Sequence, residues 1–212
     1  VGLTGGLGVG KSTLGRFLAE KGAALCDADE VVAELYRPGG KAVDVVVARF
    51  GEEVRAPAGG LDRDKLAKLV VANAAALGEL AQLVHPLVQR EIETWLEQRE
   101  QAGVLVAVVE AALLVETGSF RRFHRLVVVT AQEEVRKQRI RQGGHPPSLV
   151  ERLLAAQRGE EEKLRHAHYV VDNSGPLPAL TEKAEKLWAA LLGDAQRLAL
   201  RQGLPQGPAV FF

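Results

Sequence analysis

Gly5, Gly10, Lys11 and Ser12 stand at the spacing G-x-x-x-x-G-K-[ST] within Val1-Gly-Leu-Thr-Gly-Gly-Leu-Gly-Val-Gly-Lys-Ser-Thr-Leu14. Glycines let successive backbone N–H groups turn around an anion, a cradle that side chains would block. A helix starting there aims the positive end of its dipole at the same point. Lys11 then reaches the β- and γ-phosphates of a nucleoside triphosphate, and the Ser12 hydroxyl serves Mg²⁺. The expected nucleotide contacts are therefore Gly6, Gly8, Val9, Gly10, Lys11, Ser12 and Thr13, with ATP and Mg²⁺ as the expected cofactors. The flanks suit a strand–loop–helix unit. Val1 and Leu3 form an apolar stub before the loop. Leu14, Phe17 and Leu18 line one face after it, and Gly22 falls where a helix C-cap belongs.

Phosphoryl transfer needs held phosphates, neutralised charge, a group to receive the acceptor's proton, and exclusion of water. Asp27 and Asp29 follow the apolar run Ala23-Ala-Leu-Cys26. Asp27, with Glu30 three residues on, can cap the next helix. Asp29 then lies in the first turn, where the helix favours an ionised carboxylate. It is the expected general base for a sugar hydroxyl. Glu110 ends Val104-Leu-Val-Ala-Val-Val-Glu110, where a second acidic group for Mg²⁺ belongs, so Ser12 and Glu110 are the expected metal ligands. Arg136-Lys-Gln-Arg-Ile-Arg141 holds four cations in six residues. Charge runs are usually solvated helix faces. Beside a nucleotide site, this run is instead expected to belong to a lid, with Arg141 reaching the transferring phosphoryl. His85 and His145 precede prolines and are expected at element boundaries. His124, His166 and His168 show no metal spacing, and no histidine is assigned to catalysis.

These groups need a frame. Five short apolar runs read as strands buried on both faces: Val1–Thr4, Ala23–Asp27, Val104–Glu110, Arg125–Thr130 and His168–Asp172. Helical patterns separate them. The expected fold is α/β, a three-layer P-loop NTPase fold with a five-stranded parallel sheet, an inserted helical acceptor lobe and a helical lid. Ligands in such sheets bind beyond the carboxyl ends of the strands. The P-loop, Asp27-Ala-Asp29, Glu110, the basic run and Asp172-Asn173 all follow those ends. Seventy-six residues separate Asp27 from Val104, far more than a crossover needs. The core is therefore expected at about 1–36 and 104–192, with the lobe at about 37–103. Helices are expected at Lys41–Phe50, Asp62–Val71 and Val84–Gln101, the last striped by Val84, Leu87, Val88, Ile92, Trp95 and Leu96. The lobe suits a second substrate; a dimerisation surface is the alternative. The lid is expected at about 136–166, with Gly143-Gly-His-Pro-Pro147 breaking it and Ser148 and Glu151 forming a capping box. A last helix is expected at about Leu177–Leu192 and a mobile tail at 193–212.

Composition sets the outer bounds. The chain has 212 residues, 47% hydrophobic, with 27 acidic and 27 basic side chains. One domain, or one with an inserted lobe, follows. Charge balance gives no global pull toward nucleic acid or anionic membrane. No apolar stretch approaches a membrane span. The single Cys26 excludes an internal disulfide framework and suits a reducing compartment, so a cytoplasmic protein is expected. No signal peptide is expected; the sequence has no methionine, and a few residues are expected to precede Val1.

The whole pattern resembles the dephospho-CoA kinases, which complete coenzyme A synthesis. The resemblance runs from Val1 to about Leu192. It is carried by Gly5–Ser12, Cys26-Asp-Ala-Asp-Glu30, Pro38-Gly39, Phe50-Gly51, Leu61-Asp-Arg63 with Leu66, His85-Pro86, Ala112-Leu-Leu-Val-Glu116, Arg141, Gln157 and Asp172-Asn173. It implies ATP-dependent phosphorylation of the ribose 3′-hydroxyl of dephospho-CoA, with Asp29 as base. Lys11 and Arg141 are the implied catalytic cations. Asp29, Arg63, His85, Leu113 and Glu116 are implied for the acceptor, and Asn173 for the nucleotide. The implied partners are these small molecules, with no nucleic acid and no membrane, in a monomer or weak homo-oligomer. Ala112 stands where the family has proline, Asp62 where it has Asn, and Lys137 at one lid arginine position. The alternative is another small-molecule or nucleoside monophosphate P-loop kinase. A nucleotide switch is disfavoured by the lack of D-x-x-G after an apolar strand and of N-K-x-D.

Overall fold

The computed structural model describes residues 1–143 and 159–202. Five strands form one parallel sheet: β1 (Gly2–Gly5), β2 (Ala24–Asp27), β3 (Ala107–Glu110), β4 (Leu126–Thr130) and β5 (Tyr169–Asp172), in the order β2-β3-β1-β4-β5. β1 is central. Leu3 lies opposite Glu110 on one side and Val127 on the other. The end of β3 therefore stands directly beside the end of β1, and β3 separates β1 from β2.

Alternation along β4 shows how the sheet is covered. Val127 and Val129 join Leu3, Leu14, Leu18, Leu180, Ala184, Leu187 and Leu191 in one core. Leu3 belongs to β1, and the others come from α1 (Lys11–Glu20) and α8 (Leu177–Gln202). Leu126 and Val128 face the other way, packing with Leu114, Val115, Phe120 and Phe123. Successive strand side chains point to opposite faces, so this one strand anchors both layers.

The chain divides into two compact units: Val1–Cys26 with the chain from Arg99 onward, and Asp27–Gln98. The second contains α2 (Ala28–Tyr36), α3 (Val43–Phe50), α4 (Arg63–Ala72) and most of α5 (Ala74–Gln101). It begins ten residues before the expected lobe because Leu35 of α2 is buried with Val43, Val46, Val47 and Phe50.

Two helices depart from expectation. α5 starts at Ala74 rather than Val84, and Pro86 lies inside it. His85 is thus a helix-interior residue, not a boundary. Proline in a helix interior costs about 3 kcal/mol or more. Ala76, Val84 and Val88 are buried on the same helix with Leu80, Leu83, Leu87 and Ile92 packed beside them. At about 1.5–3 kcal/mol per buried aliphatic side chain, that stripe outweighs the proline.

The last helix likewise continues to Gln202, through Gly193, where a mobile tail was expected. Asp194 explains this. Its Oδ2 accepts from Arg125 Nε and the Tyr169 hydroxyl, both at 2.6 Å, and Oδ1 accepts from Arg197. Arg125, then Tyr169, hold the Asp194 carboxyl far below the usual carboxylate range. A carboxylate pKa depressed on folding stabilises above the unfolded value of about 4, and that contribution drains as pH falls below it. Asp194→Asn should lower the melting midpoint at pH 7 by roughly 5 °C, about 2 kcal/mol. The gap from wild type should narrow at pH 3; thermal melts at both pH values check this.

Candidate active site

Gly10 caps α1 in the left-handed region, φ 89°, and makes no side-chain cap bond. A Cβ there would lie 2.3 Å from the Asn173 amide nitrogen. The first turn holds no acidic residue and opens with Lys11. A cation at that end opposes the helix dipole. The arrangement makes electrostatic sense once an anion sits between them. Lys11 Nζ donates to Gly6 O at 3.2 Å, so the ammonium folds over the loop. Val9 is fully buried, its side chain packed in the core.

Ser12 is exposed on α1, yet its hydroxyl donates to Glu110 Oε1 at 2.6 Å. Glu110 is buried at the end of β3. The sheet order makes this contact, since β3 is β1's neighbour. A hydroxyl whose proton goes to a carboxylate keeps its lone pairs for a cation. Hydroxyl plus carboxylate is a hard-oxygen set of the kind that holds Mg²⁺ with phosphate oxygens. Among the described residues no cluster of three or more His, Cys, Asp or Glu forms a metal site. Magnesium carried in with a nucleotide does not require one.

Asn173 is buried just past β5. Its backbone N–H donates to Thr130 O and its side-chain amide to Val9 O, both at 2.8 Å. It therefore holds the loop from beneath. The basic run forms α6 (Glu133–Gln142), and its cations divide by face. Arg136 Nε donates to Leu7 O at 3.1 Å and Arg139 Nη1 to Val9 O at 3.4 Å. Lys137 pairs instead with Glu133 and Glu134, and Arg141 is exposed. Sequence reasoning chose Arg141 and missed Arg136 and Arg139. Their i, i+3 spacing sets them on one helix face, but Lys137 and Arg141 at i, i+4 share a face equally well, so spacing does not choose between the pairs. Gln157, His145 and the Ser148/Glu151 box lie outside the described residues.

The turn after β3 carries Leu113 and Glu116. Leu113 is exposed, whereas Glu116 is nearly buried against Lys163 of α7 (Glu160–Arg165), Nζ to Oε1 2.5 Å. Lys163 is 1% exposed and also donates to Ala112 O, which accepts from Thr4 Oγ1 as well. One carbonyl thus ties β1, this turn and α7 together. Sequence reasoning gave Lys163 no role, since a lone lysine in a charged segment reads as surface. Removing one partner of a buried pair costs about 3–5 kcal/mol. Lys163→Met should lower the melting midpoint by roughly 10 °C. The double variant with Glu116→Gln should recover part of the loss, because no charge is then stranded.

Asp29, Arg63 and His85 belong to the other unit. Asp27 caps α2, its side chain accepting from Asp29 N at 2.8 Å, and Asp29 is an exposed first-turn residue. Asp62 caps α4 through bonds from Asp64 N and Lys65 N. That leaves Arg63 as the exposed first helical residue, 5.9 Å from the Tyr36 ring centre. His85 is half-buried in α5.

The dephospho-CoA kinase family model matches residues 1–179 of this chain. The chain belongs to the dephospho-CoA kinase family. It is accordingly a kinase, and the rival reading as a different small-molecule kinase is not favoured. Dephospho-CoA kinase of Geobacter sulfurreducens is 37% identical over 190 residues, 89% of this chain and 96% of that protein. The Aquifex aeolicus enzyme is 34% identical over 194 residues, 92% and 98% of the two chains. Among solved structures, TT1252 from Thermus thermophilus matches with a TM-score of 0.74 at 32% identity, covering 90% of this chain and 96% of its own. Dephospho-CoA kinase from Campylobacter jejuni shares the fold, with a TM-score of 0.69 at 19% identity over 91% and 96%.

Proposed function

We propose that this protein transfers the γ-phosphoryl group of ATP to the ribose 3′-hydroxyl of dephospho-CoA, giving coenzyme A and ADP. The observation that carries the reading is the Ser12–Glu110 contact at the foot of the Lys11 loop, within a chain of this family. The bond from the acceptor oxygen to phosphorus forms as the bond to the β-phosphate bridging oxygen breaks. The hydroxyl proton goes to Asp29. Lys11 neutralises charge on the phosphates, and Arg141 meets the transferring group. Ser12 and Glu110 would hold Mg²⁺, which when bound draws charge from the β- and γ-oxygens.

Leu113, Arg63 and His85 are the proposed acceptor contacts, with the helices between about 37 and 103 as the acceptor lobe and about 136–166 as the lid. Glu116 enters this list only through Lys163, by fixing the turn that presents Leu113. Nucleotide contacts come from Gly6, Gly8, Gly10, Thr13 and the Val9 backbone, with Asn173 supporting them. Among the described residues no helix is long and apolar enough to cross a membrane. A cytoplasmic monomer or weak homo-oligomer, acting on small molecules without nucleic acid, completes the proposal. Turnover of ATP in the presence of dephospho-CoA, set against AMP, CMP and water as acceptors, tests it. Equal turnover with AMP, or with water alone, would overturn it.

A further inference from the structure

We propose that Arg136 and Arg139 are positioning residues for the nucleotide, holding the glycine loop in its binding shape from outside. The inference rests on the proposed nucleotide site and assigns it two residues that act without touching substrate. Arg136 Nε donates to Leu7 O at 3.1 Å, Arg139 Nη1 donates to Val9 O at 3.4 Å, and Asn173 Nδ2 donates to the same Val9 oxygen at 2.8 Å. Each carbonyl lies on the opposite edge of a planar trans peptide from the next residue's N–H. Holding Leu7 O and Val9 O outward therefore turns the Gly8 and Gly10 N–H groups to the other side of the loop. That is the side an anion would occupy.

The contact between loop and helix is close. A Cβ on Gly8, φ +76°, would lie 2.8 Å from Arg136 O and 2.9 Å from Ile140 Cγ1. Arg136, Arg139 and Ile140 recur at the spacing of one helix face. The neighbouring Lys137 bonds Glu133 and Glu134 on its own helix. A glycine loop left to itself has many conformations, and fixing it beforehand reduces what binding must order. A guanidinium is suited to this, since its planar fork is always charged and loses little freedom per bond formed.

Calorimetric titration of the full-length protein with ATP and with ADP tests the strap. Wild type, Arg136→Ala, Arg139→Ala and the double variant would be compared, alongside KM for each substrate and the melting midpoint. The double variant should bind both nucleotides about tenfold more weakly, because the loop holds the phosphates the two share. KM for dephospho-CoA should stay within twofold, and melting within about 2 °C. Arg136→Lys with Arg139→Lys should recover part of the affinity and serves as the second variant if the alanines melt early. Unchanged affinity in the double variant overturns the strap alone. Loss for ATP but not ADP also overturns it, making these arginines direct γ-phosphate contacts. A wild-type protein that binds neither nucleotide overturns the nucleotide reading itself.

Discussion

Lys11→Ala should lower kcat at least a hundredfold while leaving the circular dichroism spectrum and melting midpoint in place. The two halves of this result have separate causes. Lys11 opens α1, where a cation opposes the helix dipole, and alanine is the better helix former there. Its Nζ bond to Gly6 O is a single contact at 3.2 Å on a half-buried side chain, so little folding energy depends on it. In the proposed reaction the same ammonium faces developing charge on the phosphoryl oxygens of the transition state. Losing such a contact typically costs about 3 kcal/mol, a factor of about a hundred in rate. Steady-state kinetics at saturating ATP and dephospho-CoA give the number. Half the normal rate with an unchanged spectrum would remove Lys11 from the phosphate cradle.

The sequence exposed most of the frame because parallel strands buried on both faces leave continuous apolar runs. All five expected strands are present, and the residues after Gly5, Asp27, Glu110, Thr130 and Asp172 stand at their carboxyl ends. Helix ends were harder to see. Pro86 and Gly193 are both overridden breakers, Pro86 by the buried stripe of its own helix and Gly193 by the bonds from distant Arg125 and Tyr169 to Asp194. The stripe around Pro86 was readable and the proline was given too much weight, whereas no window around Gly193 contains Arg125 or Tyr169. The site divides in the same way. Glu110 and Ser12 were legible because one ends β3 and the other lies in the first turn of α1. Lys163 was not, since its burial depends on Glu116 and Ala112, about fifty residues away. Arg136 and Arg139 were visible as charge, but only the packing of α6 on the loop tells them apart from Lys137 and Arg141.

Asp29→Asn should lower kcat by about 10²–10⁴ with ATP affinity largely kept, whereas Asp27→Asn should act partly through stability. The difference follows from where each sits on α2. Asp27 is the cap, and its side chain already accepts the Asp29 N–H at 2.8 Å. An asparagine oxygen can accept the same bond, so the structural cost is small. Asp29 is not the cap but an exposed first-turn residue, whose backbone N–H is what the Asp27 side chain receives. Asparagine there keeps shape and polarity but cannot take the acceptor's proton, and loss of a general base typically costs that factor in rate. A carboxylate near the phosphates can also serve the cation through water. A Mg²⁺ titration separates the two roles, because excess metal partly rescues a metal defect and leaves a base defect untouched. Wild-type transfer by Asp29→Asn at neutral pH would exclude both roles and move the search for the base to Asp27 and Glu110. Glu110, whose Oε1 accepts from the Ser12 hydroxyl at 2.6 Å, would then have to be tested first.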